Sequence, residues 1–367
     1  MKNGRFSLHF VLLPRRAVFL SQFLLHSVNF DETTEFCQNG WINPMDTIRP
    51  SKLKLGDVVG VISPSSPVVS KRELSRGLKI LESLGFKPKL GPKALEIHAS
   101  YQAGTRKDRL YDLHSMFADD EVKAIFCTSG GYASIQLLPD IDWEIIRKNP
   151  KIFIGYSDIT TLLIPMSERT GLVTFHGPMI QGLDKDTKGG RYTLNNMKNT
   201  LMKNQTGRLP AYTEWKVLKE GKAEGTLIGG NLNVLLSLIG TPYEPKWDGK
   251  ILFWEEVDET IEGLDNYMWR LRIAKVFKKI EGMVVGKVTN LQSIEEENDK
   301  LAELDKPPVL EDVILRATEG YNFPILFGAD FGHDVPSVTL PIGAKALINC
   351  PTPRRVGALS IEEKYLE

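Results

Sequence analysis

Short apolar runs alternate with amphipathic stretches along most of the chain. The run GDVVGVISPSSP is rich in β-branched side chains and closes on a Pro/Ser turn, which is typical of a buried parallel strand. The next stretch, SKRELSRGLKILESLG, places its leucines near helical spacing and ends at a glycine. A helix-like segment, RKDRLYDLHSMFAD, and two strand-like runs that end in CTSGG and IGYSD follow. This rhythm predicts an α/β fold with a parallel sheet flanked by helices.

A second block of the same kind follows a polar connection. Residues 183–222 are polar with one helix-like segment, and we interpret them as the link between two domains. Beyond them the pattern predicts strands at KILFWEEV and GMVVGKV and helices over LDNYMWRLRIAKVFKKI and near 309–317. Two final strands are joined by a loop that holds His333. We therefore predict an N-terminal domain at 45–182 and a smaller C-terminal α/β domain at 223–360.

The first 44 residues do not fit this pattern. They contain no acidic residue before Asp31, and a Pro-Arg-Arg triplet at 14–16 splits their apolar run. Each part is shorter than the roughly 20 residues that a membrane span needs. The charges also lie inside the apolar region rather than ahead of it, unlike those of a well-formed signal peptide. We expect residues 1–44 to be a disordered or spurious extension, with a targeting role as the alternative.

Composition narrows the possible functions and partners. Lys+Arg and Asp+Glu balance at 46 each, so no basic field of the whole chain indicates a nucleic-acid partner. No segment after the extension predicts a membrane span. Cys37, Cys127 and Cys350 are widely spaced, with no CxxC and no metal-ligand grouping. This spacing indicates unpaired thiols in a reducing compartment, so we expect a cytoplasmic protein without a metal or another cofactor.

Candidate chemistry collects at predicted strand ends, where open α/β sheets bind their ligands. The run IFIG leads into Ser157, whose hydroxyl is a weak nucleophile until a base takes its proton. Of six histidines, two lie in the extension and two lie in polar or helical contexts, which leaves His176 in VTFHGPM and His333 in ADFGHDVPS. The glycine and proline around His333 indicate a fixed loop and favour it as the base.

An acid and two oxyanion donors would complete such a site. Glu255 closes an apolar strand where a carboxylate is otherwise out of place, and Ser-Glu-His is one of the chain orders known for catalytic triads. The pattern GxSxG of the usual α/β-hydrolase turn is absent. The amide of Asp158, at a helix N-terminus, is one natural oxyanion donor. An amide of the Gly130-Gly131 turn is the other candidate, because glycine lets a backbone N–H approach closely.

Several of these positions also have a plainer interpretation. A serine before an apolar helix, such as Ser157, is often an N-cap. Glu255 and Glu256 are also compatible with solvated charges at a strand end. The Gly229-Gly230 turn either holds an anion or is a plain turn in which Asn231 caps the next helix. Spacing alone therefore leaves the function open.

Seven segments together resemble the LD-carboxypeptidase family of serine peptidases, which also contains the microcin C self-immunity proteins. The resemblance runs from about residue 48 to 347. The segments are RPSKLKLGDVVGVISPSSP, GGYASIQLLPDIDW, IGYSDITTLL, TGLVTFHGPM, LIGGNLNVLLSLIGTPYEP, ILFWEEVDE and FGADFGHDVPSVTLPIGAKA.

The resemblance implies a role for each candidate residue. Ser157 is the nucleophile, Glu255 the acid and His333 the base, and the backbone amides of Asp158 and Gly131 form the oxyanion hole. It also implies a flavodoxin-like N-terminal domain that carries the serine and a smaller C-terminal domain that carries the acid and base. The active site then lies between the domains, in a homodimer that needs no metal.

The substrate is less clearly implied than the chemistry. The resemblance implies removal of the terminal D-alanine from a murein tetrapeptide, with hydrolysis of a peptide-nucleotide amide as the alternative. Many family members carry arginine before GGYG, whereas Ser129 stands there in this chain, and DFGHDVP is closer to the immunity branch. Tyr192 is the only aromatic residue in 183–211, so no platform for stacking a base is evident there. Substrate-binding residues stay unassigned, and a non-catalytic α/β ligand-binding protein is the alternative from another class.

Overall fold

Two β-sheets with helices packed on them make up the structure, a computed structural model that describes residues 46–292, 308–334, 336–352 and 356–367. The strands are β1 (Val58–Ile62), β2 (Lys87–Leu90), β3 (Val122–Cys127), β4 (Ile152–Gly155), β5 (Thr174–His176), β6 (Gly207–Arg208), β7 (Lys216–Lys219), β8 (Gly221–Asn231), β9 (Lys250–Val257), β10 (Ile280–Thr289), β11 (Ile325–Phe327), β12 (Leu340–Ile342), β13 (Lys345–Cys350) and β14 (Ala358–Ile361). The α-helices are α1 (Lys71–Ser83), α2 (Arg106–Ala118), α3 (Trp143–Lys148), α4 (Thr160–Thr170), α5 (Lys188–Lys203), α6 (Leu232–Leu236), α7 (Ile261–Ile273) and α8 (Leu310–Ala317). The expectation for residues 1–44 concerns a segment outside these ranges.

The first sheet carries five parallel strands in the order β2-β1-β3-β4-β5. Its central strands β3 and β4 are almost wholly buried, as expected for a parallel sheet covered on both faces. The strand order is that of flavodoxin-like folds, which confirms the prediction. A sixth strand, β12, pairs antiparallel with β5, with Leu340 opposite His176.

The second sheet has eight strands in the order β6-β14-β13-β8-β9-β10-β11-β7. Its centre, β8-β9-β10-β11, is parallel, and antiparallel strands flank that centre on both sides. The register of β8 and β9 places Asn231 opposite Glu255. The mixed α/β class predicted from the alternating pattern is confirmed.

Helix α4 lies where the two sheets meet. It contacts β4, β5 and β12 of the first sheet and β8 of the second. Eight of its 11 residues are buried. A helix enclosed in this way has to be apolar on nearly every side, which explains the run LLIPM in its sequence. The turn that enters α4 is therefore fixed by packing from both sheets.

The last predicted strand is divided between the two sheets. Residues 340–342 form β12 of the first sheet, whereas 345–350 form β13 of the second. The break lies at Gly343, which has a φ of +94°. Leu227 of β8 exchanges two 2.9 Å backbone hydrogen bonds with this turn, donating to the Ala344 carbonyl and accepting from the Gly343 N–H. As a result, His333 lies on a connection that runs from one sheet to the other.

The polar stretch 183–222 contains more structure than the single predicted helix. Half of the 16 residues of α5 are buried, and β6 and β7 pair with β14 and β11. The buried Asp330 carboxylate accepts hydrogen bonds from Tyr212 N, Thr213 N and Trp215 Nε1 at 2.7, 3.0 and 2.8 Å. These bonds hold the segment against the second sheet. The domain limits at 182 and 223 stay a prediction. No helix of the described ranges is long and apolar enough to cross a membrane.

Candidate active site

Ser157 lies in a sharp turn between β4 and α4. Its φ is +60°, a left-handed conformation that costs a non-glycine residue about 1–2 kcal/mol. A strained strand-to-helix turn is also the setting in which many hydrolases present a nucleophilic serine. Within the described chain, neither the 3₁₀ turn Ser157–Ile159 nor α4 is capped by a side-chain hydrogen bond. The alternative interpretation of Ser157 as an N-cap is therefore wrong.

A glycine turn after β3 faces this serine. A Cβ atom on Gly130 would lie 2.8 Å from the Ser157 Cβ and 2.9 Å from its Oγ. Gly131 has a φ of +139°, and a Cβ atom there would lie 1.9 Å from Ser66 Oγ. Glycine at 130 therefore lets the turn approach the Ser157 hydroxyl, and glycine at 131 lets it pass Ser66.

His333 and Glu255 form a direct pair. The His333 Nδ1 lies 2.6 Å from Glu255 Oε2, and the Glu255 side chain is fully buried at the end of β9. The histidine loop passes beside the acid at Gly332, whose φ of +141° favours glycine, and a Cβ atom there would lie 3.2 Å from the Lys287 carbonyl oxygen. Since Nδ1 is bonded to the acid, Nε2 is the ring nitrogen left to exchange a proton with another group.

The pKa of His333 is set by opposing effects. Burial disfavours the charged imidazolium and lowers the pKa. The hydrogen bond and charge of Glu255, with smaller contributions from Glu256 and Asp258, outweigh burial, so the net pKa lies above the ordinary value. Glu255 thus makes His333 a better proton acceptor, as the acid of a triad does.

Ser157 and His333 line one cavity of about 330 Å³. We call it the serine–histidine cavity, and its lining includes Gly130, Gly131 and Gln181. The structure therefore brings the three predicted triad side chains to one place: serine and histidine on a common cavity, and the glutamate behind the histidine.

A second cavity also includes Ser157 in its lining. It has a volume of about 410 Å³, and its lining includes Gly131, Ser157, Asp158, Asn231 and Glu256. We call it the Glu256 cavity. Both predicted oxyanion residues, Gly131 and Asp158, thus lie beside Ser157.

Glu256 points away from the histidine and anchors helix α6. Its carboxylate accepts hydrogen bonds from Asn231 Nδ2, Asn233 N and Val257 N at 2.7, 2.8 and 3.0 Å. Burial raises its pKa despite these bonds. Asn231 in turn caps α6 by accepting a bond from Val234 N, as predicted. The predicted turn at Gly229-Gly230 is wrong, because both glycines lie in strand β8 and pair with β9. Neither Glu255 nor Glu256 is a solvated charge, since both are buried.

The other candidate base, His176, lies behind the site. It is 1% exposed, and its ring contacts the rings of Tyr156, Phe253 and Phe331. Burial, and secondarily the charge of His333, lowers its pKa to about 3. It does not line the serine–histidine cavity, which favours His333 as the base.

The cysteines were the other possible nucleophiles, and clusters of acidic, histidine or cysteine side chains were the possible metal ligands. Cys127 and Cys350 are buried and unpaired. Burial raises the pKa of the Cys127 thiol and brings that of Cys350 to about 12, so neither forms the reactive thiolate readily. Cys37 is outside the described residues. Within the described ranges, no cluster of three or more His, Cys, Asp or Glu side chains could hold a metal ion.

Two features of the site were not predicted from the sequence. The Tyr156 ring stands edge-on to the His333 ring, with centroids 5.0 Å apart, and thereby holds the imidazole on one side. In the sequence, the only indication of a role for Tyr156 is that it directly precedes Ser157. For Asp158, only the backbone amide was predicted to have a role. Its side chain also makes buried hydrogen bonds, which nothing in the local sequence pattern indicates.

The chain is similar to known proteins over most of its length. Residues 59–177 match the LD-carboxypeptidase N-terminal domain, and residues 224–348 match the LD-carboxypeptidase C-terminal domain. The chain is 40% identical over 322 residues to the probable murein peptide carboxypeptidase of Bacillus subtilis (strain 168), covering 87% of this chain and 97% of that one. It is 32% identical over 343 residues to the microcin C7 self-immunity protein MccF of Escherichia coli, covering 86% and 95%.

Solved structures extend the likeness to three dimensions. The self-immunity protein MccF in complex with aspartyl sulfamoyl adenosine superposes with a TM-score of 0.78 at 28% identity, covering 87% of this chain and all of that one. The muramoyltetrapeptide carboxypeptidase of Oxalobacter formigenes gives a TM-score of 0.70 at 26% identity, covering 83% and 99%. On sequence, domain order and fold, this chain belongs to the LD-carboxypeptidase family of serine peptidases and is a hydrolase of the carboxypeptidase type.

Proposed function

We propose that the protein removes the terminal D-alanine from murein tetrapeptides through an acyl-enzyme on Ser157. The 2.6 Å contact between His333 Nδ1 and Glu255 Oε2 carries the proposal, because it leaves Nε2 available beside the cavity that Ser157 lines. Relatives named as murein peptide carboxypeptidases support the substrate class.

In the first half of the reaction, Ser157 Oγ attacks the carbonyl carbon of the residue before D-alanine. His333 Nε2 takes the hydroxyl proton as the new C–O bond forms, and the buried Glu255 carboxylate stabilises the imidazolium. Collapse of the tetrahedral intermediate breaks the C–N bond. His333 then gives its proton to the departing nitrogen, and D-alanine leaves with a neutral amino group.

In the second half, water replaces the amine. His333 takes a proton from the water as the water oxygen attacks the ester carbonyl. Collapse of the second tetrahedral intermediate then breaks the C–O bond to Ser157, and His333 gives its proton to Ser157 Oγ. The products are the tripeptide with a free carboxyl group and the regenerated serine. No electron transfer is involved.

The negative oxygen of each intermediate needs donors that are already in place. We assign this role to the backbone N–H groups of Asp158 and Gly131, which both line the Glu256 cavity beside Ser157. Loss of one such donor costs about 2.7–4 kcal/mol of transition-state stabilisation in comparable sites. The glycine at 131 permits the close approach of its backbone that this role requires.

The test is incubation of the purified protein with a muropeptide tetrapeptide, with products read by mass. We expect loss of one alanine residue from the wild type and no product from Ser157→Ala. A fluorophosphonate probe addresses the non-catalytic alternative. Labelling of the wild type but not of Ser157→Ala supports a serine hydrolase, whereas equal labelling of both refutes this nucleophile.

A second substrate class is supported by the structural likeness to MccF. That protein is described in complexes with aspartyl sulfamoyl adenosine and glutamyl sulfamoyl guanosine. The same acyl-transfer steps would cleave the amide-type bond of such a peptide-nucleotide. Parallel assays with aminoacyl-sulfamoyl nucleosides and with the tetrapeptide discriminate the two substrate classes. If the protein cleaves the aminoacyl-sulfamoyl nucleosides but not the tetrapeptide, the murein proposal is wrong.

Family membership also suggests the setting in which the enzyme acts. We propose a homodimer in the cytoplasm, with a small peptide as its partner and neither nucleic acid nor membrane as a ligand. Light scattering coupled to size exclusion measures the mass directly, and a value near 41.2 kDa rather than twice that would rule out the dimer.

A further inference from the structure

The Asp158 side chain binds the loop that follows the glycine turn. Asp158 is 4% exposed, and its Oδ2 accepts hydrogen bonds from the backbone N–H groups of Ala133 and Ser134 at 3.0 and 2.9 Å. The Ser65 hydroxyl donates a third bond to the same oxygen at 2.5 Å. One buried oxygen thus fixes two consecutive peptide units that begin two residues after Gly131.

The buried guanidinium of Arg109 binds the same loop through a carbonyl oxygen, whereas Asp158 binds it through N–H groups. Arg109 of α2 is 2% exposed, and its guanidinium donates to the Ala133 carbonyl at 2.8 Å and to Gln136 Oε1 at 2.8 Å. Burial lowers the pKa of Arg109, and the negative charge of Asp158 opposes that effect. Ala133 is therefore bound at its N–H by the carboxylate and at its C=O by the guanidinium.

These contacts connect the two proposed oxyanion donors, because the bound loop begins just after Gly131 and its anchor is the side chain of Asp158. At one end Gly131 packs so closely against Ser66 that a Cβ atom there would lie 1.9 Å from Ser66 Oγ. The turn that carries Asp158 also carries Ser157. We propose that the Asp158 carboxylate, braced by Arg109, is a positioning group of the oxyanion hole: its side chain places the Gly131 donor, while its own backbone amide supplies the other. This inference rests on the proposed function.

Asparagine, which has the same shape as aspartate but no charge, cannot position the loop in the same way. In Asp158→Asn, the amide nitrogen cannot accept the two backbone N–H bonds, and the amide oxygen accepts them without the charge that balances Arg109. The loop then shifts or loosens at Gly131. Because the defect affects charge that develops only in the transition state, kcat should fall while KM stays nearly unchanged.

The test compares Asp158→Asn with Asp112→Asn. Asp112 is also a buried aspartate whose carboxylate accepts backbone bonds, here from Lys93 N at 3.0 and 3.1 Å, but it lines neither cavity. We expect kcat for the tetrapeptide to fall between about tenfold and about 10³-fold in Asp158→Asn, because complete loss of one donor costs about 10²–10³. Affinity for a tripeptide boronic acid, whose serine adduct is tetrahedral, should fall by the same factor. Asp112→Asn should change neither.

The outcomes separate this inference from the proposed function. An unchanged kcat and boronate affinity in folded Asp158→Asn would overturn the inference, as would an equal loss in Asp112→Asn. If Asp158→Asn does not fold, Ser65→Ala decides: a smaller fall in both quantities at constant KM supports the inference, and no change overturns it. If the wild type does not cleave the tetrapeptide, the rate of fluorophosphonate labelling replaces kcat. Failure of the wild type to label at all would instead refute the proposed serine chemistry.

Discussion

The backbone N–H of Asn231 donates a 3.0 Å hydrogen bond to Thr160 Oγ1. Thr160 is the first residue of α4, three positions after Ser157, and Asn231 ends β8 opposite Glu255 of β9. Gly230 permits this contact, since a Cβ atom there would lie 2.3 Å from Thr160 Oγ1. This one buried bond therefore connects the turn of the proposed nucleophile to the strand pair of the proposed acid.

Thr160→Val should weaken both the fold and catalysis. Valine keeps the shape but leaves the Asn231 N–H buried without an acceptor, which costs about 1–3 kcal/mol in the free energy of unfolding. We expect kcat to fall as well, because the bond joins the turn of Ser157 in the first sheet to the strand pair of Glu255 in the second. Urea unfolding and steady-state kinetics measure the two effects. Thr160→Ser keeps the hydroxyl and should recover most of the loss; a serine variant as impaired as the valine variant would argue against the hydrogen bond.

Removal of any triad side chain should have a similar effect. Ser157→Ala, Glu255→Ala and His333→Ala should each lower kcat by at least about 10³-fold while the protein stays folded. Because the three groups act as a unit, double variants should be little worse than single ones. Losses that multiply in the double variants would show that the residues act independently.

The adjacent glutamates should differ in what they affect. Glu255→Gln should mainly reduce kcat, since it weakens the partner of His333. Glu256→Gln should mainly reduce stability, because two donors at the start of α6 and the Val257 N–H of β9 lose a charged acceptor. Kinetics and thermal unfolding on both variants give the comparison. A larger kcat loss in Glu256→Gln would mean that the acid is assigned to the wrong residue.

The pH dependence of kcat/KM should report His333. The histidine must be neutral to accept a proton, and its pKa is raised, so activity should decline toward acid with a midpoint above about 6.5. In Glu255→Gln the remaining effect of burial favours the neutral ring, and the midpoint should move to lower pH. Profiles of residual activity or of probe labelling test this shift, and coincident midpoints would contradict it.

His176 should make the fold sensitive to acid. Its folded pKa of about 3 lies below the ordinary value, so below about pH 6.5 the unfolded chain takes up a proton that the folded chain does not. Linkage predicts that the wild type loses about 2 kcal/mol more than His176→Phe between pH 7.5 and 5. Urea unfolding at both pH values measures it. The exposed His98, changed to phenylalanine, is the control and should follow the wild type.

Much of this site could be predicted because its parts lie in local patterns. Ser157 follows β4, Glu255 lies near the end of β9, and His333 lies in the loop after β11. The carboxyl ends of parallel strands are where open α/β sheets bind their ligands. Helix ends were less predictable: α7 stops at Ile273, and Lys275 then adopts a left-handed φ of +63°, although the apolar pattern continues. The resemblance supplied the roles that spacing alone left open.

The contacts that hold the parts together could not be predicted in this way. Arg109 lies on an ordinary amphipathic helix, and only folding brings it to the Ala133 carbonyl, 24 positions away. Likewise, the partners of Asp158 and Thr160 lie 25 and 71 positions away in sequence. Such pairings depend on how the loops pack, which periodicity does not encode.

The position of β12 has a consequence for recombining members of this family. The edge strand of the first sheet comes from residues 340–342, beyond the strands that carry Glu255 and the loop that carries His333. A chimera joined in the 183–222 region would therefore pair one parent's β5 with the other parent's β12. The histidine loop would then be stretched between sheets of different ancestry, so exchange of halves should succeed only between parents whose β5 and β12 edges are interchangeable.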